Sequence, residues 1–532
     1  MRLPRVPSFI VAIFAASLPV FPAPAVASPK PKLVVGIIID QFRYDYLTRF
    51  RNEYHGGLHQ LMTEGADFTN AFYRQVPTVT AVGHSIFMSG AMPAVSGIVG
   101  NAWYDRSESQ VVTSVCDWNE RTVGGRSGEK KGKQCTDADP ASPRRLLVST
   151  LGDELLTASP QSKVIGVSIK ARGAILPSGH RAAGAYWFDD ASGNFVTSTY
   201  YMPELPKWAS AFNGKQLAAK YVDQPWPEFP AWKLKAPEGS ATPYQNIEAS
   251  PWGNELIEQF AEGAIAGEQL GQRGALDVLT VSFSSNDYVG HRVGPDAPEV
   301  RNMAIRVDQL LGKLFRAIDA KVGLKNTIIV LSADHGVGSK PDEKGKMPGG
   351  YFPKVDNVVS SALSKHFGNG NWLVSGSSEY SLYLNREALE NAKAADGKPL
   401  TATDAYEVAK RSIFEAKDVH AARVYTREQL DNGLNGDYIA QAEMNGYYPA
   451  RSGDLFVVYE PYYTAGPSGF GHFTPYAYDR HVPILFMGPG IKTGEYDVTV
   501  APNDIAPTLA TMISSQTPSG SSGRVLTEML TR

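Results

Sequence analysis

LVVGIIID, residues 33–40, is an unbroken apolar run that stops at Asp40. A strand with one wet face alternates apolar and polar residues. A strand apolar at successive positions suits a parallel sheet covered on both sides. Two further runs repeat the pattern: LDVLTVSFSSND (276–287) leads to Asp287, and NTIIVLSADH (326–335) ends in Asp334 and His335. Between them, PEVRNMAIRVDQLLGKLFRAIDAKVG (298–323) places Met303, Val307, Leu310, Leu311, Leu314, Phe315 and Ile318 at three-and-four spacing, which predicts one apolar helical face. Strand, helix, strand of this length is a right-handed crossover unit. HVPILFMGPGI (481–491) reads as a further strand and NDIAPTLATMI (503–513) as a following helix. The fold class predicted is α/β: a three-layer α/β/α sandwich on a mostly parallel sheet.

Such sheets bind ligands outside the carboxyl ends of their strands, so Asp40, Asp287 and Asp334 are expected on one rim. Any one of them alone reads equally well as a helix cap or turn former. The histidines change the weighing. In NDYVGH, His291 follows Asp287 by four, which puts both on one face of a helical turn. His335 adjoins Asp334, and His472 sits after glycine in GFGHFTPYAYDRH, whereas His481 opens the next strand and reads as structural. Asp40, Asp287, His291, Asp334, His335 and His472 are too many ligands for one tetrahedral zinc and suit two. Three per ion leaves positions for a nucleophile and a substrate.

PTVTAVGHSIFMSG (77–90) looks like a loop entering a helix. One of Thr78 and Thr80 can cap that helix. The other, metal-bound at a positively polarised helix N-terminus, can act as a nucleophile, and the same place suits a bound anion. In SIKARG, Lys170 and Arg172 are two apart, so on an extended strand they point the same way and can meet phosphate oxygens. An exposed strand edge bearing charge is the plainer reading of that pair.

The chain has 532 residues, enough for two domains or one large domain with insertions. Hydrophobic residues make up 43% and charged residues 20%, and the net charge is −3, which argues against a broad nucleic-acid or anionic-membrane footprint. Residues 1–27 read as a secretory signal: Arg2 and Arg5, an apolar stretch from Phe9 to Val20, then Ala25-Val-Ala27. The competing membrane-anchor reading suffers from a short apolar run broken by Pro19, Pro22 and Pro24. In an exported chain the two cysteines, Cys116 and Cys135, are expected to form a disulfide, with free thiols as the alternative. Two segments, about 185–250 and 340–465, read as insertions that build a cap around the cleft.

The pieces IIIDQFRYDYL, PTVTAVGH, MPAVSGIVGN, SIKARGAI, SSNDYVGH, LSADHGV and GHFTPYAYDRHVP follow, in order, the pattern of the alkaline phosphatase superfamily. The chain resembles its PafA-type bacterial phosphomonoesterases, which are related to nucleotide pyrophosphatase/phosphodiesterases. The resemblance implies two zinc ions, one held by Asp40, Asp334 and His335 with the nucleophile Thr80, the other by Asp287, His291 and His472. It implies that Asn101, Lys170 and Arg172 bind the phosphoryl oxygens, and that the reaction passes through a phosphothreonine. Small phosphate monoesters are the implied substrates, in the periplasm or outside the cell, with no nucleic-acid partner, no anchor after signal cleavage and no stated oligomeric state, a monomer being compatible. Val82 stands where relatives commonly have proline and Phe473 where many have a small residue, which bears on substrate preference. The Lys170/Arg172 pair speaks for monoesters over the diesterase alternative. A sulfatase would need a Cys/Ser-x-Pro-x-Arg context that TVTAVGH lacks, and an inactive metal-binding or interaction protein would not need an intact nucleophile.

Overall fold

The computed structural model describes residue 1 and residues 30–125, 135, 139–339, 350–352, 355–374, 381–393, 397–465 and 470–531. Apart from residue 1, the expected signal segment lies outside the described residues.

The run that opens the chain's fold is strand β1 (Leu33–Ile39), buried at every position. Its alternate side chains go to opposite faces. Leu33, Val35, Ile37 and Ile39 enter one core cluster, and Val34 and Ile38 enter another. That division defines the three layers. The other strands of the central sheet are β2 (Ala66–Phe68), β3 (Thr122–Val123), β4 (Val164–Ser168), β5 (Gly184–Asp189), β6 (Asn194–Ser198), β7 (Asp277–Phe283), β8 (Thr327–Ser332), β9 (Ile484–Met487) and β10 (Gly494–Tyr496), in the spatial order β10-β2-β9-β8-β1-β7-β4-β5-β6-β3. The five central strands β8, β1, β7, β4 and β5 are parallel. Antiparallel pairs β8/β9 and β5/β6 flank them. The predicted mostly parallel α/β/α sandwich is therefore present.

The helices that matter to the site are α1 (Thr80–Ser89), α2 (Ala171–Ser178), α3 (Pro251–Gly267), α4 (Ser285–Val293), α5 (Pro298–Lys321), α6 (Tyr438–Gly446) and α7 (Ile505–Met512). The predicted stripe of α5 is buried, with Val307, Leu311, Leu314 and Ile318 sealed from solvent beside Leu256, Ile257 and Phe260 of α3 on one face of the sheet. Each such side chain stabilises the fold by roughly 1.5–3 kcal/mol. Phe87 and Met88 of α1 and Leu509 of α7 cover the opposite face.

The aromatic segment from about 185 does not start as an insertion, because its first residues are β5 and β6 of the central sheet. YWFD there is a strand whose Tyr186 and Phe188 pack into the main core with Phe212, Tyr221 and Trp226. The later segment has a core of its own. Helices Val355–Phe367 and Ala402–Glu415 cover a three-stranded antiparallel sheet of Ser381–Leu382, Leu455–Tyr459 and Ala421–Thr426. Cys116 and Cys135 form a disulfide with a Cα–Cα distance of 5.8 Å. Among the described residues no helix is long and apolar enough to cross a membrane.

Candidate active site

Asp40 follows the last residue of β1, Asp334 and His335 follow β8, and Asp287 lies in the first turn of α4, directly after β7. These three neighbouring parallel strands run the same way, so their carboxyl ends bring the residues to one rim, as the sequence predicts. His291, one turn along α4, presents Nε2 at 3.1 Å from Asp287 Oδ1. His472 arrives on the loop before β9, with Nε2 at 3.7 Å from the same oxygen. On the other side, His335 Nε2 lies 3.5 Å from Asp40 Oδ1, 3.4 Å from Asp334 Oδ2 and 3.5 Å from Thr80 Oγ1. All six predicted ligands are thus brought together, and Thr80 with them. The rings of His335 and His472 stack at 3.6 Å, so the two halves of the cluster adjoin.

The hydrogen bonds behind the rings decide what they can hold. Nδ1 of His335 bonds the Gly336 carbonyl at 2.9 Å, that of His472 the Thr78 carbonyl at 2.8 Å, and that of His291 the Phe470 carbonyl at 2.5 Å. A carbonyl only accepts, so each Nδ1 carries a proton, and each Nε2 faces inward, with a free lone pair wherever the ring is neutral. Backbone anchoring of this kind is how metal-ligating imidazoles are oriented. Nε2 of His291 and Nε2 of His472 stand 3.2 Å apart, close enough to bind one cation together. Asp40 Oδ1 and Asp334 Oδ2 are buried with no hydrogen-bond partner. Buried carboxylate oxygens without partners are costly unless an ion is there to meet them. Asp40, Asp334 and His335 can hold one ion, and Asp287 and His472 with His335 lie within range of another. The donor set therefore fits divalent metal.

The electrostatics agree. Burial, with Asp40 beside it, pushes the Asp334 carboxyl well above its usual range. Burial also lowers His335 to about 3 and takes His472 well below its ordinary value, so both are neutral ligands at physiological pH. Burial works against ionisation of Asp287, yet His291 and Lys170 hold it well below the carboxylate range. Burial would lower His291 as well, but Asp287 raises it to about 8.

Thr80 is the first residue of α1, behind an extended Val79 whose side chain cannot cap the helix. Neither threonine is a cap: the Thr78 hydroxyl donates to the Thr474 carbonyl at 3.1 Å. Asn101 Oδ1 accepts from the backbone N–H of Ala81 at 2.8 Å, which fixes the amide and turns its NH2 group the other way. Gly83 lets α1 approach the rim, since a Cβ there would stand 2.2 Å from the Asp334 carbonyl oxygen.

The pair in SIKARG is not on an extended strand. Strand β4 ends at Ser168, Lys170 is the last extended residue before α2, and Arg172 lies in its first turn. The run turns early because Ala171, Ala174 and Ile175 bury a helical face instead of alternating. The Lys170 ammonium consequently reaches 2.6 Å from both Asp40 Oδ2 and Asp287 Oδ2, one carboxylate from each half of the cluster. The plain reading as an exposed edge fails, because the Lys170 side chain is 2% exposed.

Two residues escaped the sequence reading. Gln41, at φ +58°, donates from its backbone N–H to Asp334 Oδ1 at 3.1 Å and from Nε2 to Asp287 Oδ1 at 2.7 Å. Its position directly after Asp40 was the available signal, but the left-handed backbone that allows both bonds has no sequence signature for a glutamine. His84 joins the Thr80 carbonyl through Nδ1 to the Ser282 hydroxyl through Nε2, both at 2.8 Å, and burial lowers it to about 4. Its four-residue spacing from Thr80 was visible. His481 is structural, as read, stacked between Tyr44 and Phe72.

Residues 34–467 match the type I phosphodiesterase / nucleotide pyrophosphatase family. The chain is 37% identical to alkaline phosphatase PhoV of Synechococcus elongatus over 94% of this chain and 93% of that protein. It is 35% identical to alkaline phosphatase PafA of Elizabethkingia meningoseptica over 95% and 96%. The crystal structure of PafA superposes with a TM-score of 0.84, at 35% identity, over 95% of this chain and all of that one. Murine ectonucleotide pyrophosphatase/phosphodiesterase 5, at 14% identity and a TM-score of 0.52, shares the fold. The chain belongs to the PafA-like alkaline phosphatases, within the type I phosphodiesterase / nucleotide pyrophosphatase family.

Proposed function

We propose that the protein hydrolyses small phosphate monoesters at a two-zinc site, with Thr80 as nucleophile, after export to the periplasm or the medium. The observation that carries this is the convergence of three backbone-anchored Nε2 atoms and three strand-end carboxylates beside a threonine at a helix N-terminus. Asp40, Asp334 and His335 would hold one zinc, and Asp287, His291 and His472 the other. Zinc, when bound, supplies Lewis acidity that favours the ionised forms of the attacking and departing oxygens.

The protein's own groups do the rest. Thr80 Oγ gives up its proton to solvent and attacks phosphorus, the bond to the ester oxygen breaks, and the alcohol departs with a proton from solvent. Water then gives up a proton and attacks the phosphothreonine, the P–Oγ bond breaks, Thr80 Oγ takes a proton back from solvent, and inorganic phosphate leaves. The Asn101 NH2, Lys170 and Arg172 meet the phosphoryl oxygens, where charge must be balanced during transfer. A monoester offers three non-bridging oxygens and a diester two, so two cations beside the nucleophile favour the monoester. The segment 355–465, folded about its own small core, is proposed to wall the cleft.

The diesterase reading stays in view because the matching family includes such enzymes. Rates on an aryl phosphate monoester and the matching aryl diester, with and without chelator, separate the two. Monoester hydrolysis that the chelator abolishes and zinc restores is expected. A diester rate equal to the monoester rate would overturn the choice.

A further inference from the structure

We propose that Asp479 is a positioning residue that locks the His472 loop to both the nucleophile loop and the β8 rim. This inference rests on the two-zinc reading above, and of the six ligand side chains its geometry involves only the anchoring of His472 and His335. Asp479 is fully buried in the short turn Ala477–Arg480. Its Oδ2 accepts three hydrogen bonds from one loop: Phe473 N–H at 3.1 Å, Thr474 N–H at 2.9 Å and the Thr474 hydroxyl at 2.7 Å. Phe473, the residue after the ligand His472, sits at φ +139°, where a side chain other than glycine is unfavourable. Such a backbone persists only where its surroundings over-determine it. The carboxylate of Asp479 is the group that over-determines it.

The consequence runs through Thr474. Its carbonyl accepts the Thr78 hydroxyl at 3.1 Å, and the Thr78 carbonyl accepts His472 Nδ1 at 2.8 Å. His472, Phe473, Thr474 and Thr78 thus close a ring of bonds two residues before the nucleophile Thr80. The ring orients the imidazole and fixes where the nucleophile loop lies relative to it. Asp479 also reaches the other half of the site through its backbone, whose carbonyl accepts Gly336 N–H at 2.7 Å. Gly336 in turn supplies the carbonyl that anchors His335. The next residue, Arg480, donates from Nε to the Tyr73 carbonyl at 2.5 Å, and the Tyr73 hydroxyl donates to the Ala333 carbonyl at 2.8 Å. One buried aspartate therefore indexes the His472 loop against the Thr78 loop, near the start of the chain, and against the end of β8, well past its middle.

The test compares Asp479→Ala, Asp479→Asn and Thr474→Val with the full-length wild-type chain. Three readouts serve: zinc retained per chain after dialysis against dilute chelator, kcat and KM on an aryl phosphate, and the folded fraction by circular dichroism. Outer partners of metal ligands are worth roughly 10–100-fold in affinity or activity, and Asp479→Ala is expected to lose that much in kcat per folded chain. Its zinc content should fall from two toward one, with KM little changed. Asp479→Asn keeps an acceptor oxygen where Oδ2 stands and should recover most of both. Thr474→Val removes the hydroxyl that donates to Asp479 and accepts from Tyr476 N–H, leaves the two backbone bonds to Asp479 in place, and should fall between wild type and the alanine variant, which keeps the proposal testable if that variant does not fold. A folded Asp479→Ala with wild-type zinc content and kcat would overturn the proposal. So would a Thr474→Val indistinguishable from wild type, or an asparagine variant as impaired as the alanine one. A wild-type chain without zinc and without monoester hydrolysis would instead remove the two-zinc reading itself, and this proposal with it.

Discussion

Asp40, Asp334 and His335 hang from two adjacent strands of the central sheet and are sealed from solvent. Asp287 and His291 sit on a helix, His472 on a returning loop, and 40% of the His291 side chain is exposed. The first half inherits its geometry from the sheet, whose strand pairing fixes Asp40 relative to Asp334. The second half has no such ladder and relies on backbone carbonyls at Thr78 and Phe470, contributed by loops far away in sequence. Thr80, the proposed nucleophile, lies beside the sheet-held half, at 3.5 Å from His335 Nε2. On the proposed mechanism, the sheet-held half lies where bonds to phosphorus form and break, and the more open half where the alcohol leaves.

The most severe way to probe that division is Thr80→Ala. Removing a nucleophile costs on the order of 10⁴-fold or more in turnover. The variant should keep its metal, because none of the six side-chain ligands is touched. Zinc analysis together with aryl phosphate turnover checks both parts. Zinc loss in step with activity would mean that the threonine builds the sheet-held half and does not merely use it.

Next in size is the double variant Lys170→Ala/Arg172→Ala. Monoester kcat/KM should fall by about 10²–10³-fold, as when transition-state donors are removed, while the diester rate changes by less than about tenfold. Lys170 also bridges Asp40 and Asp287, so its loss tests whether the two halves are held together electrostatically as well as by the fold. An equal loss on both esters would assign the pair to structure alone.

Two glycines allow the same comparison by packing. A Cβ at Gly83 would meet backbone of Asp334, at 2.2 Å from its carbonyl oxygen and 2.5 Å from its Cα, so neither partner can yield cheaply. A Cβ at Gly290 of α4 would meet the end of the Gln41 side chain, 1.8 Å from Oε1, which can swing aside by giving up its bond to Asp287. Gly83→Ala should destabilise the fold by about 1–3 kcal/mol and displace the nucleophile. Gly290→Ala should leave stability near wild type and weaken zinc retention only in the helix-and-loop half. Thermal melts and zinc retention distinguish them, and equal losses at the two positions would contradict the division.

The difference between the halves also explains what was legible in the sequence. Strand-end ligands announce themselves, since LVVGIIID and NTIIVLSADH show both the buried strand and the residue that ends it. Asp287 and His291 were readable from helical spacing. His472 could be named, but not what holds it, because the Thr78 carbonyl and Asp479 join only through tertiary contacts. Lys170 and Arg172 were given the wrong backbone, since a short apolar run followed by KARGAIL fits strand and helix alike. Gln41 escaped because its unusual φ depends on bonds to Asp334 and Asp287, and no local propensity foretells it.

A buried acid outside the cluster gives the smallest expected effect on turnover and a control for the rest. Glu443 lies on α6, the helix whose Ala442 carbonyl accepts Val76 N–H just before the nucleophile loop. Burial alone raises its carboxyl from 4.5 to about 8. Unlike Asp334, it has no histidine or lysine of the site around it to make ionisation useful. A raised carboxyl favours the protonated fold, so its contribution is fully present below pH 4.5 and is lost as pH rises toward 8. Above pH 8 the buried charge costs on the order of 4 kcal/mol. Glu443→Gln should recover about half of that, since the amide still needs partners, and should flatten the pH dependence of the melting temperature between 4.5 and 8. Turnover on the monoester should stay within about twofold of wild type. If the substitution instead lowered the alkaline melting temperature, or removed zinc, Glu443 would have to be counted, with Asp479, among the buried acids that support the loop of Thr78 and Thr80.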